Sequence, residues 1–330
     1  MNNEMKWIQS ITPQKYHQPS LKVGIGDDAA IYHTEEGMET VVAVDTMVEG
    51  IHFTKKTMSM KAIGHKALAV NISDLAAMGA IPRYYLVSIA IPKEGWGKKE
   101  LADIYSGMSE IGDLHRMDLI GGDTVSIKST LVITVTAIGI VEKGRRLVRA
   151  NAKPGDVVFV TGPLGLSAFG LEHLLNEGLC TMEDEKLWPY IKAHQFPVPQ
   201  VKAGRLLAES NFRISLNDIS DGLASETMEI AEASGVSIEL QWNAIPTGTT
   251  LKEKSRDEQE KWILYGGEDF QLIGTVGKEN WDELWKKFQE NQLPLYAIGQ
   301  INDSKGIVKV ELINNAGNRD TLTKTGYDHL

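Results

Sequence analysis

Carboxylates beside glycine or serine recur along this chain in a pattern that could hold a hard cation. Asp27 and Asp28 follow the turn Gly24-Ile25-Gly26, Asp123 follows Gly121-Gly122, and Glu268 follows Gly266-Gly267. Asp218 and Asp221 bracket Ile219-Ser220, while Asp45 and Asp74 sit in apolar surroundings. Adjacent carboxylates repel unless something positive lies beside them, and glycine permits tight turns whose amides can face a ligand. Taken alone, residues 24–30 read as an ordinary surface turn; the other acidic segments are what give them possible partners. Oxygen donors with one cysteine and few histidines suit Mg²⁺, Mn²⁺ or Ca²⁺ over zinc. The calcium-loop spacing is absent, which favours magnesium. Magnesium is usually bound by few carboxylates together with substrate phosphates, so a phosphate-bearing substrate is the natural partner.

Other phosphate chemistries are excluded by what is missing. There is no Gly-x-x-x-x-Gly-Lys-Ser/Thr loop, no His-Arg-Asp and Asp-Phe-Gly set, and no Gly-x-Ser-x-Gly elbow. Gly162-Pro163-Leu164-Gly165-Leu166-Ser167 reads either as a helix-amide phosphate site or as a plain connecting turn. The formal net charge of −10 argues against a general nucleic-acid binder. A single cysteine, Cys180, allows no intramolecular disulfide framework and fits a reducing compartment. The N-terminus lacks a basic and apolar leader, and no apolar run approaches a bilayer span. A cytoplasmic protein that avoids membranes is expected.

The elements that must position these residues follow from periodicity. At 330 residues, two domains are the default. A short helix near the N-terminus, ending about Pro13, is followed by strand-like segments from 21 to 54. The clearest helix covers 58–78, where Met60, Ile63, Ala67, Val70, Asp74 and Ala77 recur at three- and four-residue spacing. Asp74 is thereby expected on the interior stripe, where an aspartate is costly unless paired or cation-bound. A strand at 84–91, a helix over 98–115, a strand at 117–120 leading into Gly121-Gly122-Asp123-Thr124, and a β run at 131–141 complete an α+β half. The Gly- and Arg-rich stretch 143–156 reads as the domain boundary. Beyond it come a strand at 157–160, a helix to about 176, an irregular Pro-bearing stretch over 178–198 and a helix over 199–210. Further strands are expected at 213–216, 236–240, 271–276, 296–301 and 306–312, with helices ending at 234 and covering 279–289.

Six segments, in order, carry a resemblance. They are residues 24–30, Asp45-Thr46-Met47-Val48-Glu49-Gly50-Ile51-His52-Phe53, residues 66–79, Gly121-Gly122-Asp123-Thr124, Asp218-Ile219-Ser220-Asp221-Gly222-Leu223, and Tyr265-Gly266-Gly267-Glu268-Asp269-Phe270. Together they resemble the thiamine-monophosphate kinase family over essentially the whole chain. The resemblance implies the two-domain fold of aminoimidazole-ribonucleotide synthetase. An N-terminal α+β domain, 1–148, would carry metal and nucleotide motifs and a homodimer interface; a C-terminal α/β domain, 149–330, would complete the active site. It implies ATP as co-substrate, thiamine monophosphate as acceptor and thiamine diphosphate as product. Position by position, Asp28, Asp45, Asp74, Asp123, Asp218 and Asp221 would hold several Mg²⁺ ions. Tyr105, Gly122, Asp123, Arg149 and Ser220 would sit at the nucleotide, and His52, Glu268 and Tyr327 at thiamine monophosphate. One departure concerns the places before Asp45: the family often carries hydroxyl residues there, and this chain has Ala43 and Val44.

The chemistry agrees with that reading. The acceptor is a phosphate oxygen, already ionised near neutral pH, so no dedicated catalytic base is expected. The task is to bring two polyanions into line, which cations do by screening and orienting them. Arg149 can add a bidentate grip on phosphate. Two other readings stay open: an ATP-dependent enzyme more like aminoimidazole-ribonucleotide synthetase, and a non-catalytic nucleotide or metal sensor.

Overall fold

The computed structural model describes residues 3–26, 28–179 and 184–323. The chain divides into two units, one of Met1–Leu75 with Ile81–Lys143 and one of Ala76–Ala80 with Gly144–Leu330.

The first unit contains α1 (Asn3–Ile11), the short pair β1 (Leu21–Val23) and β2 (Ile31–Tyr32), β3 (Met38–Val48), α2 (Met60–Ala77), β4 (Ile81–Pro92), α3 (Lys98–Leu114), β5 (Asp118–Ile127) and β6 (Val132–Glu142). Its main sheet runs β3-β6-β4-β5. β4 and β5 pair in parallel across α3, and the other neighbours are antiparallel. α3 starts where Glu100 Oε2 accepts the Gly97 amide at 2.7 Å, and it buries Leu101, Ile104, Met108 and Ile111 at helical spacing.

α2 departs from the amphipathic stripe expected of it. It is buried round most of its circumference, with Ala62, Ala67 and Ala69 almost wholly covered. Asp74 is half-buried, as is Val70 one turn before it. A second departure is Gly121-Gly122-Asp123-Thr124, which lies inside β5 and not in a turn after it. Gly122 pairs with Val87, and a Cβ on it would stand 2.0 Å from the Val87 carbonyl oxygen. The glycine thus extends the strand where any side chain would break its pairing.

The second unit opens with β7 (Val157–Val160) and continues through α4 (Leu166–Glu177), α5 (Trp188–Gln195), α6 (Val201–Glu209), β8 (Ile214–Asp218), α7 (Leu223–Ser234) and β9 (Ser237–Gln241). Then follow α8 (Thr249–Lys252), α9 (Arg256–Ile263), β10 (Leu272–Val276), α10 (Trp281–Glu290), β11 (Tyr296–Asn302), β12 (Val310–Ile313) and β13 (Arg319–Leu322). The sheet order is β13-β12-β9-β11-β7-β10-β8, parallel only between β12 and β9. β7 serves both faces of this mixed sheet. Val158 and Val160 join a core with Phe169 of α4 and Ile230 of α7, while Phe159 joins another with Leu207 of α6 and Phe288 of α10.

α5 forms inside the stretch expected to be irregular. Pro189 falls in its first turn, where a missing N–H costs nothing, and Tyr190 and Ile191 are buried. α9 is set by a capping box between Ser255 and Glu258. β13, with Arg319, Asp320 and Thr321 exposed, is an edge strand whose polarity hid it from pattern reading. Among the described residues no helix is long and apolar enough to cross a membrane.

In the first unit, α2 and α3 touch through glycines. A Cβ on Gly64 would lie 1.8 Å from the Ile104 carbonyl oxygen, and one on Gly107 would lie 2.0 Å from that of Lys61. Backbone cannot yield there as a side-chain tip could. Gly107→Ala is therefore expected to cost about 3 kcal/mol of stability, read as a lowered denaturation midpoint with an unchanged slope; a midpoint equal to that of the unsubstituted protein would contradict the close contact.

Candidate active site

In the first unit the expected residues are dispersed over several elements. Asp28 is exposed in the turn after β1, and Asp45 is half-buried on β3 opposite Val135. Asp123 is exposed on β5 opposite Ser88, its Oδ1 accepting the Thr124 amide at 2.9 Å. β3 and β5 are the two edges of the sheet, three strand spacings or about 14 Å apart. The register runs Asp45–Val135–Val87–Gly122 in one row and Thr46–Thr134–Ser88–Asp123 in the next, so Asp45 and Asp123 point to opposite faces. They are not two ligands of one tight site within this sheet.

His52 is held by its own loop. Its Nδ1 accepts the Val48 amide at 3.1 Å, which fixes Nε2 as the protonated nitrogen of the neutral ring. Glu49 braces the same loop, with Oε2 accepting from Trp96 Nε1 at 3.0 Å and from the Leu131 amide at 3.1 Å. Tyr105 is buried on α3 with its ring edge-on to Trp7, and burial raises its phenol above the usual range.

The second unit concentrates acid at one place. β8 ends at buried Asp218, and the turn Ile219-Ser220-Asp221-Gly222 delivers the chain into α7. Gly222 has φ +116°, and a Cβ there would stand 2.8 Å from the Leu264 carbonyl oxygen. From the first turn of α7, Glu226 reaches back. Its Oε1 accepts the Asp221 amide at 3.1 Å and the Ser220 hydroxyl at 3.3 Å, and its Oε2 accepts Asn217 Nδ2 at 2.5 Å. Asn217 Nδ2 also approaches Glu229 Oε2 at 3.2 Å. Arg149 supplies a counter-charge: its Nε donates to Asn217 Oδ1 at 2.9 Å, and its guanidinium lies 3.3 Å from Glu229. Burial, then the charges of Glu229, Asp218 and Asp221, push the Glu226 carboxyl up to about 8, against a partial lowering by the Asp221 amide.

A second acidic turn lies against the first. Glu268 N donates to the Ser220 carbonyl at 2.7 Å, and Phe270 N to that of Ile219 at 2.9 Å. Gly267 makes this possible, since a Cβ there would meet the Ser220 oxygen at 2.4 Å. Asp269 turns inward. Its carboxylate accepts the Gly165 amide at 2.7 Å and the Ser167 amide at 3.2 Å, with Leu166 contributing as well. Burial nonetheless pushes its carboxyl up to about 7. This corrects the phosphate reading of Gly162–Ser167: the amides at the start of α4 are taken by the protein's own carboxylate. Glu268 points the other way and is partly exposed, its Oε2 3.2 Å from Nδ1 of buried His194.

Asn217, Glu226, Glu229 and His194 were missed by sequence reasoning. Glu226 and Glu229, at i and i+3 just after the Asp221 turn, carried a usable signal; His194 carried none. Asp27, Cys180 and Tyr327 lie outside the described residues. Among the described residues no three acidic or histidine side chains form a ready cage for a metal ion. The donor set nonetheless fits magnesium, which takes one or two carboxylates and completes its shell with water and phosphate. The raised Glu226 carboxyl marks a cluster with more negative charge than its one arginine offsets.

Comparison with known proteins places these motifs in context. Residues 26–141 match the family described as AIR synthase related protein, N-terminal domain, and residues 153–311 its C-terminal domain. A thiamine-monophosphate kinase of Bacillus subtilis (strain 168) is 47% identical over 330 residues, covering 99% of each chain. The crystal structure of a thiamine-monophosphate kinase from Stenotrophomonas maltophilia K279a is similar at TM-score 0.81 and 32% identity, over 93% of this chain and 95% of that one. A structure of AaThiL complexed with AMPPCP and TMP is similar at TM-score 0.75 and 29% identity, over 93% of this chain and 92% of that one.

The raised Glu226 carboxyl has a measurable sign. A carboxyl held above its unfolded value contributes stability at low pH that is lost as pH rises through the folded value of about 8. In EDTA, Glu226→Gln is expected to match the parent at pH 5 and to exceed it at pH 9 by roughly 2–4 kcal/mol. Parallel stability curves across that range would contradict the charge crowding.

Proposed function

The chain belongs to the thiamine-monophosphate kinase family, and we propose that it transfers the γ-phosphoryl group of ATP to the phosphate of thiamine monophosphate, giving thiamine diphosphate and ADP. The observation that carries this reading is kinship over 99% of the chain at 47% identity; beside it stands the turn at 218–221, whose overcharged cluster lies next to Arg149. The reaction needs little covalent help. The acceptor oxygen is ionised near neutral pH, and the transferred group passes through a loose transition state whose charge spreads over its oxygens. Positioning and charge neutralisation are therefore the protein's main tasks.

Asp28, Asp45, Asp74, Asp123, Asp218 and Asp221 are the residues we assign to Mg²⁺, which when bound would screen and orient phosphate oxygens. Ala43 and Val44 leave only backbone carbonyls as donors just before Asp45. Arg149, oriented by Asn217 and Glu229, offers a guanidinium fork suited to phosphate. Ser220 and Gly122 belong to the nucleotide in this reading, as does Tyr105, whose burial makes it a support for α3 more than a direct contact. His52, with Nε2 as its donor, and Glu268, a carboxylate suited to a cationic ring, belong to thiamine monophosphate.

A homodimer belongs to the same proposal. On the first unit's sheet, Val42 and Val44 of β3 and Val125 and Ile127 of β5 expose apolar side chains, Val42 to 61% and Val44 to 60%. The registers place all four on one face with Thr46 and Asp123. Such a stripe fits a self-complementary interface between copies.

Incubated with ATP and Mg²⁺, the protein is expected to release ADP only when thiamine monophosphate is present, one for each thiamine diphosphate formed. Asp45→Asn should lower kcat by at least about 100-fold with the fold intact. Thiamine monophosphate left unchanged would refute the reading, and near-normal turnover by the variant would remove Asp45 from the site. Val44→Glu should convert a dimer to a monomer in light scattering; an unchanged mass would move the interface elsewhere.

A further inference from the structure

The turn 266–270 holds its two carboxylates by different means. Asp269 is locked under the first amides of α4. Glu268 and Phe270 on either side of it adopt left-handed backbone, φ +66° and +48°. Residues other than glycine enter that region at a cost, and such strain gathers where a side chain must be aimed. The backbone fixes only where the Glu268 side chain begins. Three rotatable bonds would still let its carboxylate sweep a wide arc, and ordering it upon binding would cost rotamer entropy.

His194 removes that freedom. It stands on α5, 2% exposed, with Nδ1 3.2 Å from Glu268 Oε2 and 3.2 Å from Ser167 Oγ. Ser167 is itself tied to the turn, because its amide donates to Asp269 Oδ1 at 3.2 Å. The imidazole therefore bridges the start of α4 and the carboxylate of Glu268. We infer that His194 is a positioning residue: its Nδ1–H fixes one oxygen of Glu268, leaving the partly exposed remainder of the carboxylate pre-aimed at the cationic ring of the substrate. The inference rests on the assignment of Glu268 to thiamine monophosphate. It adds α5 to the site, an element that touches neither metal nor nucleotide in the reading above.

The two amide variants of His194 separate positioning from packing. Asparagine places its side-chain nitrogen where Nδ1 stands, whereas glutamine places it near Nε2. His194→Gln is expected to raise KM for thiamine monophosphate about tenfold while leaving kcat and KM for ATP within about twofold. His194→Asn should restore KM to within about threefold of the parent. Glu268→Gln should raise the same KM, and adding His194→Gln to it should change little more, since the two act through one contact. Equal KM values for the two His194 variants, an equal rise in KM for ATP, or full additivity with Glu268→Gln would each overturn the inference while the kinase reading stands. A parent protein that leaves thiamine monophosphate unchanged would overturn that reading, and this inference with it.

Discussion

The second unit is organised round the mutual repulsion of carboxylates at the end of β8. Asp218, Asp221, Glu226 and Glu229 crowd about one turn, and Asn217 and Arg149 offset them only in part. Burial, with the neighbouring charges of Glu229, Asp218 and Asp221, raises the Glu226 carboxyl to about 8. Evolution rarely keeps such an arrangement for stability, since a neutral packed turn would do better. In the proposed reading, a cation and the phosphate it accompanies would turn the same crowding into affinity.

The rest of the unit makes that crowding possible by restraining backbone. Gly222 and Gly267 permit approaches that a side chain would forbid, and the amides of Glu268 and Phe270 fasten the second acidic turn to Ile219 and Ser220. Asp269 closes the arrangement by capping α4 from inside the fold. Neighbouring carboxylates thus face opposite directions, Asp269 serving structure and Glu268 turned outward. The first unit follows a looser logic: its carboxylates are spread along sheet edges and a helix, and register sets Asp45 and Asp123 on opposite faces. Such dispersal accords with several ions better than with one.

Much of this was legible beforehand. The α+β character of the first half, the long helix at 60–77 and most strands follow from β-branched runs and helical spacing, while the α/β second half was implied by the family resemblance. The Gly-Asp turns named themselves by composition. What escaped reading was decided by tertiary contact. Gly121 and Gly122 look like a turn yet extend β5, because only glycine fits beneath the Val87 carbonyl. The Gly162 turn looks like a phosphate loop yet is filled by Asp269, more than a hundred residues away in the chain. Asp74 follows a stripe that loses meaning once α2 is covered on nearly every side. His194 lay in a segment with no clear period, and its importance comes only from the carboxylate it meets.

The central claim is that the acidic end of β8 binds a divalent cation together with nucleotide phosphate. The most direct measurement is calorimetric titration of Mg²⁺ into the protein saturated with a non-hydrolysable ATP analogue, compared with Asp218→Asn. The account predicts saturable Mg²⁺ binding that tightens between pH 6 and pH 8 as Glu226 ionises, and that weakens at least about tenfold in the variant. Binding that is indifferent to pH and identical in the variant would contradict it.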